Sequence, residues 1–91
     1  MTAFEVGPDR TAMPVVYPDA AGEVAGQLAG YRITHPKPDG GLCLGAEGHW
    51  IPVGEGHWTL VSEDPLTLTP SLRCTVCGDH GFITNGAWVP A

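Results

Sequence analysis

The stretch Arg73-Cys-Thr-Val-Cys-Gly-Asp-His80, followed by Gly81-Phe-Ile-Thr84, Asn85-Gly86 and Ala87-Trp-Val89, decides how this sequence is read. Two cysteines separated by two residues curl into a tight turn that aims both sulfurs at one point. Gly78, just after the second cysteine, lets the chain turn back because it tolerates positive φ. This is the shape of half a zinc ribbon. Asn-Gly between two β-prone runs is the strongest short hairpin signal, since both central residues of such a turn need positive φ. A metal-binding turn running into a hairpin therefore closes the chain.

Tetrahedral zinc needs two further ligands from elsewhere in the sequence. Cys43 is the only other cysteine and becomes the third. The fourth is a histidine or a carboxylate. His80 lies three residues after Cys77, His49 and His57 occupy the two copies of a local echo, and His35 precedes the loop to Cys43. Spacing leaves all four open. A redox role for the C-x-x-C pair would call for a helix opening at the cysteines inside a βαβ pattern, and Thr75-Val76 with Gly78 and Gly81 does not supply one.

Working backwards, Pro65-Leu-Thr-Leu-Thr-Pro70 alternates apolar and hydroxyl residues and predicts a strand with Leu66 and Leu68 inward, Thr67 and Thr69 outward. Glu47-Gly-His-Trp50 recurs as Glu55-Gly-His-Trp58. Ile51-Pro-Val53 and Trp58-Thr-Leu-Val61, with a glycine-containing turn between, predict a hairpin over 49–61. Trp50, Trp58 and Trp88 are expected to close the core. Tyr31-Arg-Ile-Thr-His35 alternates and predicts a strand, ended by the loop Pro36-Lys-Pro-Asp-Gly-Gly41. Residues 1–30 are less legible. Val15-Val-Tyr17 between prolines suits an extended segment. Ala20 to Gly30 has a weak helical spacing that Gly22, Gly26 and Gly30 oppose at about 1 kcal/mol each. The expectation is a mostly β, zinc-ribbon-like domain of short hairpins over 31–91, with 1–30 an N-terminal arm or extended segment.

Composition agrees. Ninety-one residues suit one domain, and domains of this size often add a metal or a disulfide as a staple. Three cysteines cannot form a closed disulfide set. Gly 13 and Pro 9 argue against long helices. No basic, apolar leader opens the sequence, and no apolar run is long enough to span a bilayer, so a reducing cytoplasm is the expected compartment. The net charge of −6 leaves only Arg10, Arg32, Lys37 and Arg73 as scattered cations, which opposes tracking of a phosphate backbone. A nucleic-acid-binding ribbon would need Arg32, Lys37, Arg73 and an aromatic to converge. No H-E-x-x-H, P-loop, G-x-S-x-G or deaminase signature occurs. A zinc hydrolase is therefore a remote alternative, and a protein partner the leading one.

The residues Pro65-Leu-Thr-Leu-Thr-Pro-Ser-Leu72, Cys74-x-x-Cys-Gly-Asp-His-Gly-Phe-Ile83 and Asn85-Gly-Ala-Trp-Val-Pro90 resemble a family of small uncharacterised proteins frequent in tailed bacteriophages of actinobacteria. A wider bacterial and phage family is similar through a T-L-S-P-S … C-x-x-H signature with two cysteines upstream. That resemblance, which spans roughly residues 42–90, implies Cys77 and His80 as the C-x-x-H pair and Cys43 as one upstream cysteine. Cys74 would stand in for the second upstream cysteine. It implies zinc as the metal, with Cys43, Cys74, Cys77 and His80 around it. It brings no established function, the family being one of unknown function. Elimination, from the acidic charge and the lack of a catalytic constellation, leads to the expectation of a phage accessory protein made in the host cytoplasm that binds another protein, with a virion or assembly component as an alternative.

Overall fold

A computed structural model describes residues 3–91. Among the described residues, nine strands form two antiparallel sheets that share one core, as the sequence predicts for a mostly β chain. In the first sheet, β1 (Phe4–Gly7) and β2 (Arg10–Val16) form a hairpin, and β2 pairs with the long central strand β3 (Leu28–Pro36). The other edge of β3 is shared by two short strands. β4 (Leu42–Cys43) pairs near its C-terminal end, and β5 (His49–Pro52) pairs further back. The second sheet runs in chain order through β6 (Thr59–Glu63), β7 (Leu66–Arg73), β8 (His80–Thr84) and β9 (Ala87–Pro90).

Alternation explains which residues meet between the sheets. Leu66 and Leu68 are buried and Thr67 and Thr69 face outward, as their pattern predicts. In β8, Gly81 and Ile83 face inward while His80, Phe82 and Thr84 face outward. The core joins Val6, Ala12, Tyr31, Ile33 and Ile51 of the first sheet to Leu66, Leu68, Leu72 and Ile83 of the second. Trp58 and Trp88 pack against it, whereas Trp50 is 37% exposed and lies beside the Arg32 guanidinium. The tryptophans thus divide, with two serving the core and one at the surface. Asn85 (φ 52°) and Gly86 (φ 78°) form the two-residue turn between β8 and β9, with Thr84 opposite Ala87.

Two expectations change. The segment 49–61 is not a hairpin. Its two extended pieces belong to different sheets, β5 pairing with β3 and β6 with β7. They are linked by a parallel bridge from Val53 to Trp58, in which Gly54 N–H donates to the Trp58 carbonyl and Trp58 N–H to the Pro52 carbonyl. Local alternation identifies strands, but here a non-local neighbour, β3, offers the free edge. The N-terminal segment is likewise integrated rather than laid across the domain. Val6 and Ala12 are core residues, and β2 pairs with β3 along most of its length. The weak helical spacing after Ala20 yields only a short 3-10 segment, Asp19–Val24, interrupted at Gly22.

Candidate metal centre

Four side chains converge where the two sheets meet: His35, Cys43, Cys74 and Cys77, whose donor atoms all lie within 4.8 Å of one another. Each pair has its own structural origin. His35 and Cys43 are directly opposite each other in the β3–β4 ladder, held there by the Pro36–Gly41 loop, in which Lys37 N–H donates to the Gly41 carbonyl. Cys74 and Cys77 sit on the turn between β7 and β8. That turn is closed by Gly78 N–H donating to the Cys74 carbonyl at 2.9 Å and Cys74 N–H donating to the Asp79 carbonyl at 2.7 Å. Gly78 has φ 81°, the conformation its place after the second cysteine predicts.

The Cys43 and Cys74 sulfurs are 3.8 Å apart, and Cys77 Sγ lies 3.3 Å from His35 Nε2. All three cysteines are free. His35, Cys43 and Cys74 are buried, and Cys77 is half-buried.

The electrostatics differ from one sulfur to the next. Burial, reinforced by hydrogen bonding to its two sulfur neighbours, pushes the Cys43 thiol up to about 11. Burial also acts to raise Cys74, but the backbone N–H groups of Cys77 and Val76 donate to its sulfur and bring it below the ordinary thiol value. Amide donors aimed at a sulfur favour its thiolate form, the form a metal binds. His35 is held below the usual imidazole value by burial, with Asp79 and Arg10 acting in opposite directions upon it. The shift favours the neutral imidazole, the form with a lone pair to offer a metal.

This group of three thiols and one imidazole can hold a metal ion. Three of the four residues expected from the sequence, Cys43, Cys74 and Cys77, are in it. The fourth, His80, is not. It stands on the outward face of β8, is exposed, and shares a hydrogen bond of 2.9 Å between Nε2 and Ser71 Oγ. The β-alternation that turns Gly81 and Ile83 inward turns His80 away from the sulfurs. His35, one of the alternatives the spacing leaves open, takes the place by the imidazole. His49, on β5 opposite Ile33, and His57, exposed in the turn after Gly54, are outside the group. The signal for His35 lies in the sequence: closing the Asp39-Gly40 loop as a hairpin sets the end of one strand, His35, against the start of the next, Cys43.

Comparison with known proteins returned no match to a protein-family model, to a curated protein or to a solved structure. Among the described residues, no helix is long and apolar enough to cross a membrane.

Proposed function

We propose that the chain is a zinc-stapled β module whose metal is structural and whose task is to bind another protein. The observation that carries the metal part is the convergence, at the junction of the two sheets, of three sulfurs and one imidazole. Soft thiolate donors with an imidazole suit zinc. A tetrahedral zinc ion at ordinary bond lengths separates two sulfur ligands by about 3.8 Å and a sulfur from a nitrogen by about 3.5 Å. The separations of 3.8 Å for Cys43–Cys74 and 3.3 Å for Cys77–His35 fit that figure. Four protein ligands complete a tetrahedron and leave no position for a water molecule, which supports a structural rather than a hydrolytic role.

The metal would join elements that are otherwise linked through a small core and the Arg10–Asp79 ion pair. His35 and Cys43 belong to the first sheet, Cys74 and Cys77 to the turn between two strands of the second. Its binding supplies about 10–16 kcal/mol of apparent free energy in comparable small domains. The protein-binding part rests on chemistry that points away from other roles. The net charge of −6 disfavours nucleic acid, and the sequence carries no catalytic signature. Leu42, Leu44 and Val76, all exposed, stand beside the metal ligands, where a partner would find apolar surface on a rigid support. The resemblance of residues 42–90 to small phage proteins supports reading this role in a phage-infected host cytoplasm, or in the assembling particle.

Elemental mass spectrometry of the purified protein, read beside circular dichroism before and after chelation, tests the metal role. A single zinc ion per chain with structure lost on chelation is the expected result. A metal-free protein with an unchanged spectrum after chelation overturns it.

A further inference from the structure

The turn that carries Cys74 and Cys77 is held from outside by a residue distant in sequence. Arg10, the first residue of β2, donates from Nη1 to Asp79 Oδ2 at 2.7 Å and from Nη2 to Asp79 Oδ1 at 2.9 Å. The fork is part-buried and its guanidinium lies 4.2 Å from the centroid of the Trp88 ring. Among the described residues it is the one ion pair between side chains. Asp79 is also the residue whose carbonyl takes the Cys74 N–H, the bond that closes the turn. One residue therefore joins the cysteine turn through its main chain and the β1–β2 hairpin through its side chain. The planar guanidinium fork fixes the carboxylate in two directions at once, which a point charge cannot do.

We propose that Arg10 and Asp79 are positioning residues of the metal centre: they hold the Cys74–Cys77 turn in its ligating shape and couple metal occupancy to docking of the N-terminal hairpin. This rests on the metal-binding reading above. The cysteine turn supplies half the donor set, so a turn that relaxes when Arg10 is lost should bind more weakly and with altered geometry. An ion pair that only adds to stability would leave that geometry unchanged. Removal of residues that orient metal ligands typically lowers affinity by about 10–100-fold.

The test is Co(II) titration of the full chain against a competing chelator, following the visible ligand-field bands. The chains compared are the unsubstituted protein, Arg10→Ala, Arg10→Lys, Asp79→Asn and Ile83→Val. The last removes a methyl group from the core, with no contact to the cysteine turn through the ion pair, and reports simple destabilisation. The expected result is a loss of affinity of about 10–100-fold for Arg10→Ala, with shifted bands and faster loss of metal to the chelator. Arg10→Lys should recover part of it, because it keeps the charge without the fork, and Ile83→Val should keep the original bands. Original bands in Arg10→Ala, with affinity lowered no more than in Ile83→Val, overturn the positioning role alone. An unsubstituted protein that binds no Co(II) overturns the metal centre and this proposal with it.

Discussion

The two halves of the metal centre are built by different means. The Cys74–Cys77 half is local: four residues, a glycine at positive φ, and amide N–H groups aimed at the Cys74 sulfur. The His35–Cys43 half depends on register. Its two side chains meet because β3 and β4 pair with His35 opposite Cys43, and a slip of β4 by one residue would turn Cys43 to the other face. The first half is shaped by its sequence neighbours and braced by Arg10 through Asp79, whereas the second requires the sheet. Their sulfurs differ accordingly, Cys74 being lowered by its amides and Cys43 raised by burial to about 11.

The largest test of this difference removes one ligand from each half. Cys77→Ser should abolish metal binding and leave the chain unfolded or molten. The apparent binding free energy at stake, about 10–16 kcal/mol, exceeds the whole stability of a typical domain, about 5–15 kcal/mol. Cys43→Ser should unfold the chain as well, yet leave a C-x-x-C turn that still binds Co(II) weakly. Near-ultraviolet dichroism of Trp58 and Trp88 with a Co(II) titration reads both. A Cys77→Ser chain that folds with unchanged stability would contradict the account.

A smaller effect is expected from the support of the register-dependent half. Gly48 precedes β5 at φ 71°, and a Cβ there would run into the Ile33 carbonyl and lie 2.9 Å from the Thr34 nitrogen. Gly48→Ala should therefore push β5 off β3 next to His35, at a cost of about 2–4 kcal/mol. Denaturant unfolding of the zinc-loaded protein measures it, and a midpoint equal to that of the unsubstituted protein would show that β5 does not hold β3 in place.

The smallest effect is on pH dependence, and it separates the sulfurs. Metal binding needs thiolates, so it releases protons and strengthens as pH rises. The raised Cys43 thiol keeps its proton at neutral pH and must surrender it to the metal, which weakens binding more as pH falls. The lowered Cys74 imposes less of this penalty. Between pH 6 and pH 8.5, on the order of the range ordinary thiols span, zinc affinity should climb steadily. Calorimetry in buffers of different ionisation enthalpy should find about three protons released near neutral pH. Affinity independent of pH over that range would mean the cysteines are not the ligands.

What the sequence disclosed follows the same division between local and distant. The C-x-x-C-G turn, the Asn85-Gly86 turn, the Leu66/Leu68 alternation and the Tyr31–His35 strand are each decided by neighbouring residues, and all are as expected. The 49–61 segment shows the limit. Its strands were legible but their partners were not, because pairing depends on which edge is free elsewhere in the fold. The N-terminal hairpin was hidden for a related reason: Pro14 interrupts β2's pattern, and its pairing opposite Tyr31 becomes sensible only once β3 is there. Resemblance to a C-x-x-H pattern favours His80 as a ligand, but β8 alternation directs it to Ser71. His35 shows no C-x-x-H spacing, and its signal is the strand register that the Pro36–Gly41 loop sets against Cys43.

The most direct measurement is the zinc content, after dialysis against a weak chelator, of the unsubstituted protein, His35→Ala and His80→Ala. The account expects a single zinc ion in the unsubstituted protein and in His80→Ala, and substantial loss of zinc from His35→Ala. Zinc retained by His35→Ala and lost from His80→Ala would contradict it and return the fourth ligand to the outer face of β8.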